Sequence, residues 1–256
     1  MDTQKTCYLF FDLDGTVIGH DGTLSDANLQ AMLAVQRLGH KLILNTGRSN
    51  GAYQMSSADE ARVIPWNGTC FSTADVTFEG RQITSHTVSK KDFDVWLEYC
   101  MEHRRTLFCG GRRATATFIF RTYTEPLTEA EKQAWRARAS KSFSEDAFTN
   151  LTVVGVLDPN TLPESDLTVV QLATYADLFP KGCNKGQVIL DFCQTLGVSI
   201  DQCACFGDSN NDLDMFRVCS TSVCMKEATP ALAELATYRA KTEEGVAEGL
   251  RYLFGI

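Results

Sequence analysis

The sequence lacks several features that would point to particular classes of protein. No apolar run approaches the roughly 20 residues that a membrane-spanning helix requires, so we expect no membrane-embedded segment. Basic residues are in the minority, because 24 Lys and Arg stand against 32 Asp and Glu, and the net charge is −8. An acidic surface argues against a nucleic acid or an anionic membrane as the partner. A small phosphorylated substrate is still compatible with it, since such a site needs only a few local cations.

Internal repeats and low-complexity segments are also missing, and the chain contains only six prolines. What remains is an ordinary globular composition, with 44% apolar and 22% charged residues. A chain of 256 residues can bury a substantial core in one large domain or two smaller ones. Nothing in the sequence indicates an obligate protein partner.

Cysteine is plentiful, but the ten cysteines include no C-x-x-C pair of the kind that many zinc and redox sites use. Only Cys203 and Cys205 are close neighbours, and several others lie in apolar runs, where cysteine behaves as a small hydrophobic residue. The four histidines show no metal-ligand spacing, and we expect surface or structural roles for them. Because no signal peptide is recognised at the amino end, we expect reduced thiols and a cytoplasmic location.

The chain is organised around a short apolar run that ends in two carboxylates. Residues 6–11 are largely apolar, and Asp12 and Asp14 follow directly before Gly15. Such a run suits a strand buried on both faces of a parallel sheet, where ligands collect beyond the carboxyl ends of the strands. Residues two apart on an extended chain point to one side, so both carboxylates can face one pocket. Their repulsion favours a cation such as Mg²⁺, although Asp14-Gly15 alone is equally a hairpin-turn signal.

Short buried strands alternate with amphipathic helices near both ends of the chain. The predicted elements of the first stretch are a hairpin flap at 16–22, a helix from its N-cap Ser25 to Gly39, a strand at 41–44, a helix at 53–58 and a strand at 62–65. Those of the last stretch are a helix at 187–196, a strand at 202–206, a helix at 213–218, a strand at 221–224, a helix near Ala231 and a helix at 245–254. This alternation predicts an α/β fold with a doubly wound parallel sheet.

The pattern changes in the middle of the chain, where strands no longer alternate strictly with helices. The predicted elements are a hairpin at 76–84, helices at 90–103 and 128–139, and strands at 106–108, 115–120, 152–157 and 167–172. We interpret the part of this region from 86 to 178 as an inserted α+β unit. The predicted domains are therefore a core of residues 1–85 and 179–256 and an insert of residues 86–178.

Three further polar clusters lie at predicted strand ends or helix starts. They are Thr46-Gly47-Arg48, Lys185-Gly186, and the Gly-Asp-Ser-Asn-Asn-Asp run at 207–212. Each has a simple explanation when taken alone, because Thr46 and Asp208 could cap helices and Lys185 could be a solvated surface lysine. Parallel strands can deliver such clusters to one edge of the sheet, and the combination is far more specific than any single member.

In this order, the clusters resemble the four motifs of the haloacid dehalogenase (HAD) superfamily. The motifs in this sequence are Asp12-Leu13-Asp14-Gly15-Thr16, Thr46-Gly47-Arg48, Lys185-Gly186 and residues 207–212. The insert between the second and third motifs resembles the cap of Cof-type HAD phosphatases in its position and element types. The resemblance implies a Rossmann-like core with an inserted α+β cap, and a Mg²⁺-dependent phosphatase acting on a small phosphorylated metabolite.

The resemblance also implies a role for each motif residue. Asp12 is the expected nucleophile, which forms a phospho-aspartate, and Asp14 is the expected acid and base for the leaving oxygen and the attacking water. Mg²⁺ would be held by Asp12, the backbone carbonyl of Asp14 and Asp208. Lys185 would supply cationic charge for catalysis and phosphate binding, and Asp212 would support the metal site or orient Lys185.

The transferring phosphate has its own expected contacts. The resemblance implies binding by Leu13, by the Thr46 hydroxyl, by the Gly47 backbone N–H, by Asn211 and by Lys185. Helix starts such as that at Lys185 are suited to anions because their backbone N–H groups are unpaired. Charge neutralisation of this kind supplies most of the catalysis in phosphoryl transfer.

The sequence leaves the substrate and some alternatives open. Sugar phosphates lead the expected substrates, followed by pyridoxal phosphate or a nucleotide such as flavin mononucleotide, and the insert is expected to set the choice by closing over the substrate. A phosphosugar mutase on the same core is one alternative. A receiver-like signalling domain is another, although it would be about half as long and lacks the cluster at 207–212. A catalytically silent binding protein is the third, and it is disfavoured because no required polar group is missing.

Two residues near the motifs invite separate hypotheses. Asn45 stands before Thr46 where the family often has a small residue, and we expect little consequence from this difference. Cys183 lies two positions before Lys185, so its oxidation is a hypothetical route to inhibition. Unchanged peroxide inhibition after Cys183→Ser would contradict that hypothesis.

Overall fold

The computed structural model describes residues 1–55 and 58–256 of the chain. The chain forms two compact units, of which the first contains Met1–Gly47, Ser56–Ser85 and Asn184–Ile256. The second unit contains Arg48–Met55 and His86–Cys183. The sequence analysis instead assigned residues 48–55 to the core and ended the insert at 178. The interpretation of the second unit as a substrate-selecting cap stays a prediction.

The elements of the described residues alternate as a mixed α/β chain. The strands are β1 (Tyr8–Phe11), β2 (Lys41–Thr46), β3 (Gly68–Phe71), β4 (Asp75–Phe78), β5 (Arg81–Ser85), β6 (Thr106–Gly111), β7 (Thr115–Ile119), β8 (Phe148–Val154), β9 (Leu167–Gln171), β10 (Tyr175–Pro180), β11 (Cys203–Gly207), β12 (Thr221–Cys224) and β13 (Tyr238–Arg239). The α-helices are α1 (Asp26–Arg37), α2 (Asn50–Met55), α3 (Lys90–Glu102), α4 (Glu129–Glu145), α5 (Lys185–Leu196), α6 (Leu213–Val218), α7 (Pro230–Leu235) and α8 (Gly245–Phe254).

The first unit is built on one sheet with the strand order β13-β12-β11-β1-β2-β3-β4-β5. The strands from β13 to β3 pair in parallel, and β4 and β5 extend the sheet as an antiparallel hairpin. Phe11, near the carboxyl end of β1, lies opposite Leu44 of β2 and Phe206 of β11. The polar residues that follow these three strands therefore begin at one edge of the sheet.

Helices cover this sheet and bury its apolar side chains. Phe10 of β1 packs edge to face on Phe192 of α5, with 5.3 Å between ring centroids. On another part of the first unit, α1 packs against α8, and Asn28 Oδ1 accepts a hydrogen bond from the Ala247 N–H at 2.9 Å. Ser25 is the N-cap of α1, because its hydroxyl accepts from the Asn28 N–H at 3.1 Å. The predicted doubly wound α/β class is confirmed.

The second unit is an α+β structure with an antiparallel sheet in the order β7-β6-β8-β10-β9. One face of the sheet packs on α3 and α4 around Phe93 and Trp96, both fully buried. Sequence signals set both helix starts, because Ser89 caps α3 and Thr128 forms a capping box with Glu131 at the start of α4. The sequence analysis missed β10, whose residues 175–180 were left between predicted elements.

Two local predictions between β2 and β3 differ from the structure: the strand predicted at 62–65 was wrong, and the helix predicted at 53–58 falls partly on residues that are not described. The strand predicted at 62–65 is absent from the described residues; a 3₁₀ helix spans Ala58–Val63 and the next strand is β3. Pro65 has no N–H to contribute to a sheet ladder, so pairing with β2 starts only at Gly68. The helix predicted at 53–58 corresponds to α2 at Asn50–Met55, and residues 56–57 are not among those described.

The predicted hairpin flap at 16–22 is not formed. Instead, the chain closes a tight loop in which the Ile18 N–H donates to the Leu13 carbonyl at 2.8 Å and the Gly15 N–H donates to the Ile18 carbonyl at 2.7 Å. Val17 and Ile18 are buried, so the loop buries these two apolar side chains instead of pairing the segment as the strands of a hairpin. In the part of the chain that is described, no helix is long and apolar enough to cross a bilayer.

Candidate active site

The nucleophile candidate Asp12 stands directly after β1 at the carboxyl edge of the first unit's sheet. The Asp12 N–H donates to the Phe206 carbonyl of the neighbouring strand at 3.0 Å, which continues the sheet by one residue. The side chain is buried, with 4% of its residue surface exposed. The central strand thus presents one carboxylate in a fixed place beneath the protein surface.

Lys185 brings a buried positive charge to Asp12. Its Nζ donates to Asp12 Oδ1 and, at 2.6 Å, to Asp212 Oδ1. Lys185 is the first residue of α5, and its predecessor Asn184 caps the helix by accepting from the Gly186 and Gln187 N–H groups. Gly186 lets this end of α5 approach the backbone of α6 closely, because a Cβ at this position would lie 2.4 Å from the Asp214 carbonyl oxygen.

Asp208 and Asp212 come from the turn after β11. Asp208 Oδ1 accepts a hydrogen bond from the Thr16 hydroxyl at 3.2 Å. Asp212 Oδ2 accepts from the Asp208 and Ser209 N–H groups at 3.0 and 3.1 Å. Both oxygens of Asp212 are therefore held by donors, which makes Asp212 the anchor of Lys185 and of the turn.

Two glycines leave the space that these carboxylates occupy. A Cβ on Gly15 would lie 2.5 Å from Asp208 Oδ2, and one on Gly207 would lie 2.7 Å from Asp212 Oδ2. Gly15 also has a φ of +85°, which residues with a Cβ rarely adopt. A larger residue at Gly15 would thus both strain the loop and displace Asp208.

Burial sets the protonation tendencies of this cluster. It raises the pKa of Asp12 well above its usual range, against the opposing effect of Lys185. Burial and the neighbouring Asp212 carboxylate raise the pKa of Asp208. Burial alone would lower the pKa of Lys185, but the attraction of Asp12 and Asp212 outweighs it, so the pKa of Lys185 is raised and its ammonium group is retained.

The donor set fits a hard divalent cation. Carboxylate oxygens of Asp12, Asp208 and Asp212 all lie within 4.8 Å of one another, and oxygen is the donor that Mg²⁺ prefers. When ionised, three carboxylates and one lysine leave two uncompensated negative charges in a buried space. A divalent cation would balance them, and Asp12 and Asp208 are the residues suited to hold it because Asp212 is fully engaged with Lys185 and the backbone.

The other predicted site residues occupy different surroundings. Thr46 is buried at the end of β2 and Gly47 follows it half-buried, with nothing within 4 Å of a Cβ built there. Leu13 is fully buried, whereas Asp14 and Asn211 are exposed. The Asp14 backbone bridges to Ile18 in the loop described above, and Asn211 Oδ1 accepts from the Ser209 hydroxyl. The acidic cluster therefore contains Asp212, predicted only as a supporting residue, and not the Asp14 carboxylate.

Sequence reasoning missed three residues at this site. Asn45 Nδ2 donates to the Lys185 carbonyl at 3.1 Å and so ties the end of β2 to the start of α5. Thr16 holds Asp208, and His20 lies beside Gly15, where its charge acts on Asp208. Asn45 was visible as a polar residue in an apolar strand, but the contact partners of all three residues depend on the fold.

The carboxyl edge of this doubly wound sheet carries three carboxylates and a buried lysine, and this edge is where open α/β sheets bind their ligands. The family is identified by a match of the haloacid dehalogenase-like hydrolase model to residues 9–154 and 160–250. The chain belongs to this family, as the four motifs predicted. The predicted enzyme class is confirmed as far as a haloacid dehalogenase-like hydrolase, and the receiver-domain alternative is excluded by the family.

Two relatives of known name differ in how much of their length the chain spans. It is 26% identical over 275 residues to the chloroplastic endoribonuclease YBEY of Arabidopsis thaliana, covering 98% of this chain but only 47% of that protein. It is 24% identical over 237 residues to the HMP-PP phosphatase of Escherichia coli O81 (strain ED1a), covering 88% of this chain and 86% of that protein. The chain thus spans about half of the first relative and most of the second.

Solved structures of HAD phosphatases share the fold. BT1666 from Bacteroides thetaiotaomicron superposes with a TM-score of 0.80 at 18% identity, covering 100% of this chain and 97% of that one. The HAD subclass IIB sugar phosphatase BT4131 superposes with a TM-score of 0.77 at 18% identity, covering 98% of this chain and 100% of that one. These likenesses confirm the core-and-cap fold class that was predicted from the sequence.

Proposed function

We propose that the chain is a Mg²⁺-dependent phosphatase that hydrolyses a small phosphorylated metabolite through a phospho-aspartate on Asp12. One observation carries this proposal: the Lys185 ammonium group bridges the buried Asp12 and Asp212 carboxylates at the carboxyl edge of the sheet, beside Asp208. Phosphate-monoester hydrolysis is extremely slow without a catalyst. A buried nucleophile with adjacent positive charge can accelerate the reaction, because the covalent intermediate that it forms divides one difficult step into two easier ones.

Asp12 attacks phosphorus as a carboxylate, the phosphorus–oxygen bond to the leaving group breaks, and the phosphoryl group becomes attached to Asp12. Lys185 holds the attacking carboxylate in place and neutralises part of the charge on the phosphoryl oxygens. Asp212 keeps the lysine ammonium group aimed at Asp12, because its other oxygen is fixed by two backbone N–H groups. A bound Mg²⁺, held by Asp12, the Asp14 carbonyl and Asp208, would stabilise the remaining negative charge as a Lewis acid.

Asp14 is proposed as the proton carrier of both steps. It donates a proton to the leaving oxygen and then accepts one from the water that attacks phosphorus in the phospho-aspartate. The phosphorus–oxygen bond to Asp12 breaks in this second step, which releases inorganic phosphate and restores the Asp12 carboxylate. Its exposure supports this role, because an acid that protonates an incoming substrate must be reachable from solvent. The Thr46 hydroxyl, the Gly47 and Leu13 backbone and the Asn211 side chain are proposed to bind the phosphoryl oxygens.

Sugar phosphates are the proposed substrate class, with pyridoxal phosphate or flavin mononucleotide next. The similarity in fold to BT4131, a sugar phosphatase, supports the first choice. The α+β unit at 86–178 is proposed to select the substrate. The endoribonuclease YBEY is aligned with this chain over only 47% of its length, and the net charge of −8 opposes nucleic acid as a substrate. A cytoplasmic location is supported by ten free cysteines.

The test is a screen of phosphorylated metabolites for release of inorganic phosphate, with Mg²⁺ and with EDTA. Turnover is expected only with Mg²⁺, and Asp12→Asn is expected to abolish it while Asp14→Asn reduces it severely. Glu234→Gln, which alters an exposed carboxylate on α7, is the matched control and should keep full turnover. A fully active Asp12→Asn enzyme would refute the nucleophile assignment.

Metal binding has a test that does not depend on turnover. Mg²⁺ is expected to raise the midpoint of thermal unfolding, because a ligand that binds only the folded state stabilises it. Asp208→Asn should remove most of that rise.

Phosphate release without a bisphosphate activator separates the phosphatase from the phosphosugar mutase, which would return the phosphoryl group to a sugar.

A further inference from the structure

Two cysteines of the first unit have their sulfur atoms in contact. The Sγ atoms of Cys193 and Cys203 are 3.4 Å apart, although the residues are ten positions apart in the chain. Cys193 lies near the end of α5, and Cys203 is the first residue of β11. Both are free thiols, and neither is part of the site described above.

The surroundings make the two thiols unequal. Cys203 is fully buried, whereas Cys193 retains 8% exposure. The two thiols share a hydrogen bond in which either sulfur can be the donor, and this interaction lowers the pKa of Cys193 despite its partial burial. The same bond, together with burial, raises the pKa of Cys203. Cys193 is thus the more accessible and the more nucleophilic of the two, since the thiolate is the reactive form.

We propose that Cys193 and Cys203 form a reversible intramolecular disulfide when the protein meets a peroxide. The Cys193 thiolate attacks one oxygen of hydrogen peroxide, the oxygen–oxygen bond breaks, and a sulfenic acid and hydroxide result. The Cys203 sulfur then attacks the sulfenic sulfur, and water leaves as the sulfur–sulfur bond forms. In total, two thiols lose two electrons and two protons, and one peroxide becomes two waters.

The disulfide links the two elements that carry opposite parts of the active site. Lys185 stands at the start of α5, and Asp208 follows the end of β11. The two sulfurs are already in contact at 3.4 Å and must close to about 2.05 Å to form the bond. We expect the oxidised protein to keep its active-site geometry and to become more resistant to unfolding, since the cross-link restricts the unfolded chain.

The test exposes the intact folded protein to hydrogen peroxide, blocks the remaining thiols with an alkylating reagent, and maps disulfide-linked peptides by mass spectrometry. The expected result is a linked pair of peptides containing Cys193 and Cys203 and an intact mass lower by two hydrogen atoms. The midpoint of thermal unfolding should rise after oxidation and return after treatment with dithiothreitol. This result is independent of any phosphatase activity.

Variants identify the pair directly. Cys193→Ser and Cys203→Ala should each abolish the linked peptide and the rise in thermal stability, whereas the control Cys219→Ser in the same unit should retain both. Cys219 is the matched control because it is also buried and interacts with Cys205, a second nearby thiol. A link between Cys205 and Cys219 instead, or Cys193 oxidised to sulfinic acid without a link in the folded wild-type protein, overturns the proposal.

Discussion

The side-chain amide of Asn45 donates a hydrogen bond to the backbone carbonyl of Lys185 at 3.1 Å, both residues being buried. The carboxyl end of the apolar strand β2 is thereby attached to the first residue of α5. Asn45 Oδ1 has no partner among the described residues, so a polar side chain is retained in the core at a cost. The benefit is the orientation of the helix start from which the Lys185 side chain reaches Asp12.

Asn45→Ala is expected to reduce turnover about tenfold, equivalent to about 1.4 kcal/mol, through misplacement of Lys185. It should lower the free energy of unfolding by only about 1 kcal/mol, the net value of one buried hydrogen bond. The control is Asn28→Ala, which removes a buried amide contact to Ala247 elsewhere in the same unit. Steady-state kinetics and urea unfolding measure both quantities, and equal turnover in the two variants would show that Asn45 has no positioning role.

Lys185→Met is expected to lower the free energy of unfolding by about 3–5 kcal/mol in EDTA, because buried carboxylates lose their counter-charge. Adding Asp212→Asn removes one of the carboxylates that the lysine contacts, so the double variant should lose less than the sum of the single variants. Urea unfolding of the four proteins closes the double-mutant cycle. Strictly additive losses would contradict an energetic coupling between Lys185 and Asp212.

Gly15→Ala is expected to abolish the stabilisation by Mg²⁺ and most of the turnover, because its Cβ would lie 2.5 Å from Asp208 Oδ2. Gly22→Ala is a matched control for backbone strain: Gly22 has nearly the same φ, +84°, but nothing lies within 4 Å of a Cβ there. Both variants should lose about 1 kcal/mol of stability from strain. Thermal unfolding with and without Mg²⁺ separates them, and a normal Mg²⁺ response of Gly15→Ala would count against crowding at Asp208.

Stability should decrease at mildly acidic pH because of His40. Burial lowers the pKa of His40 below its ordinary value of about 6.5, and its Nδ1 accepts a hydrogen bond from the Cys7 N–H at 3.2 Å. The folded state therefore favours the neutral ring, and this contribution to stability is complete above the unfolded pKa and is lost as pH falls through the folded pKa. Urea unfolding between pH 7 and pH 5 should show a shallower decline in His40→Gln. The exposed His86 supplies the control, because His86→Gln should leave the decline unchanged.

Most of the core was accessible from the sequence because its signals are local. The apolar runs before Asp12, Thr46 and Asp208 predicted buried strands, and Ser25 predicted the start of α1. Errors arose where local signals competed. Pro65 prevented a strand in an apolar segment, and the burial of Val17 and Ile18 replaced a predicted hairpin by a compact loop.

The candidate site was predictable as a set of residues but not as a set of contacts. Chain order and spacing brought Asp12, Lys185 and Asp208 to one sheet edge in the prediction, and the motif order indicated the family. Asp212 was predicted in a supporting role, but its place in the acidic cluster, which the Asp14 carboxylate does not join, follows from the turn after β11, where two backbone N–H groups hold it. The spacing of acidic residues along the chain does not specify which of their side chains points toward the active site once the turn has folded.

By itself the sequence determined the alternation of strands and helices, the family and the residue types available for phosphoryl chemistry, since these depend on patterns within short stretches. Only the tertiary structure decided the partners: Lys185 between Asp12 and Asp212, Asn45 on the Lys185 carbonyl, and Cys193 against Cys203. Such contacts join residues distant along the chain, and their distances depend on how every intervening element packs.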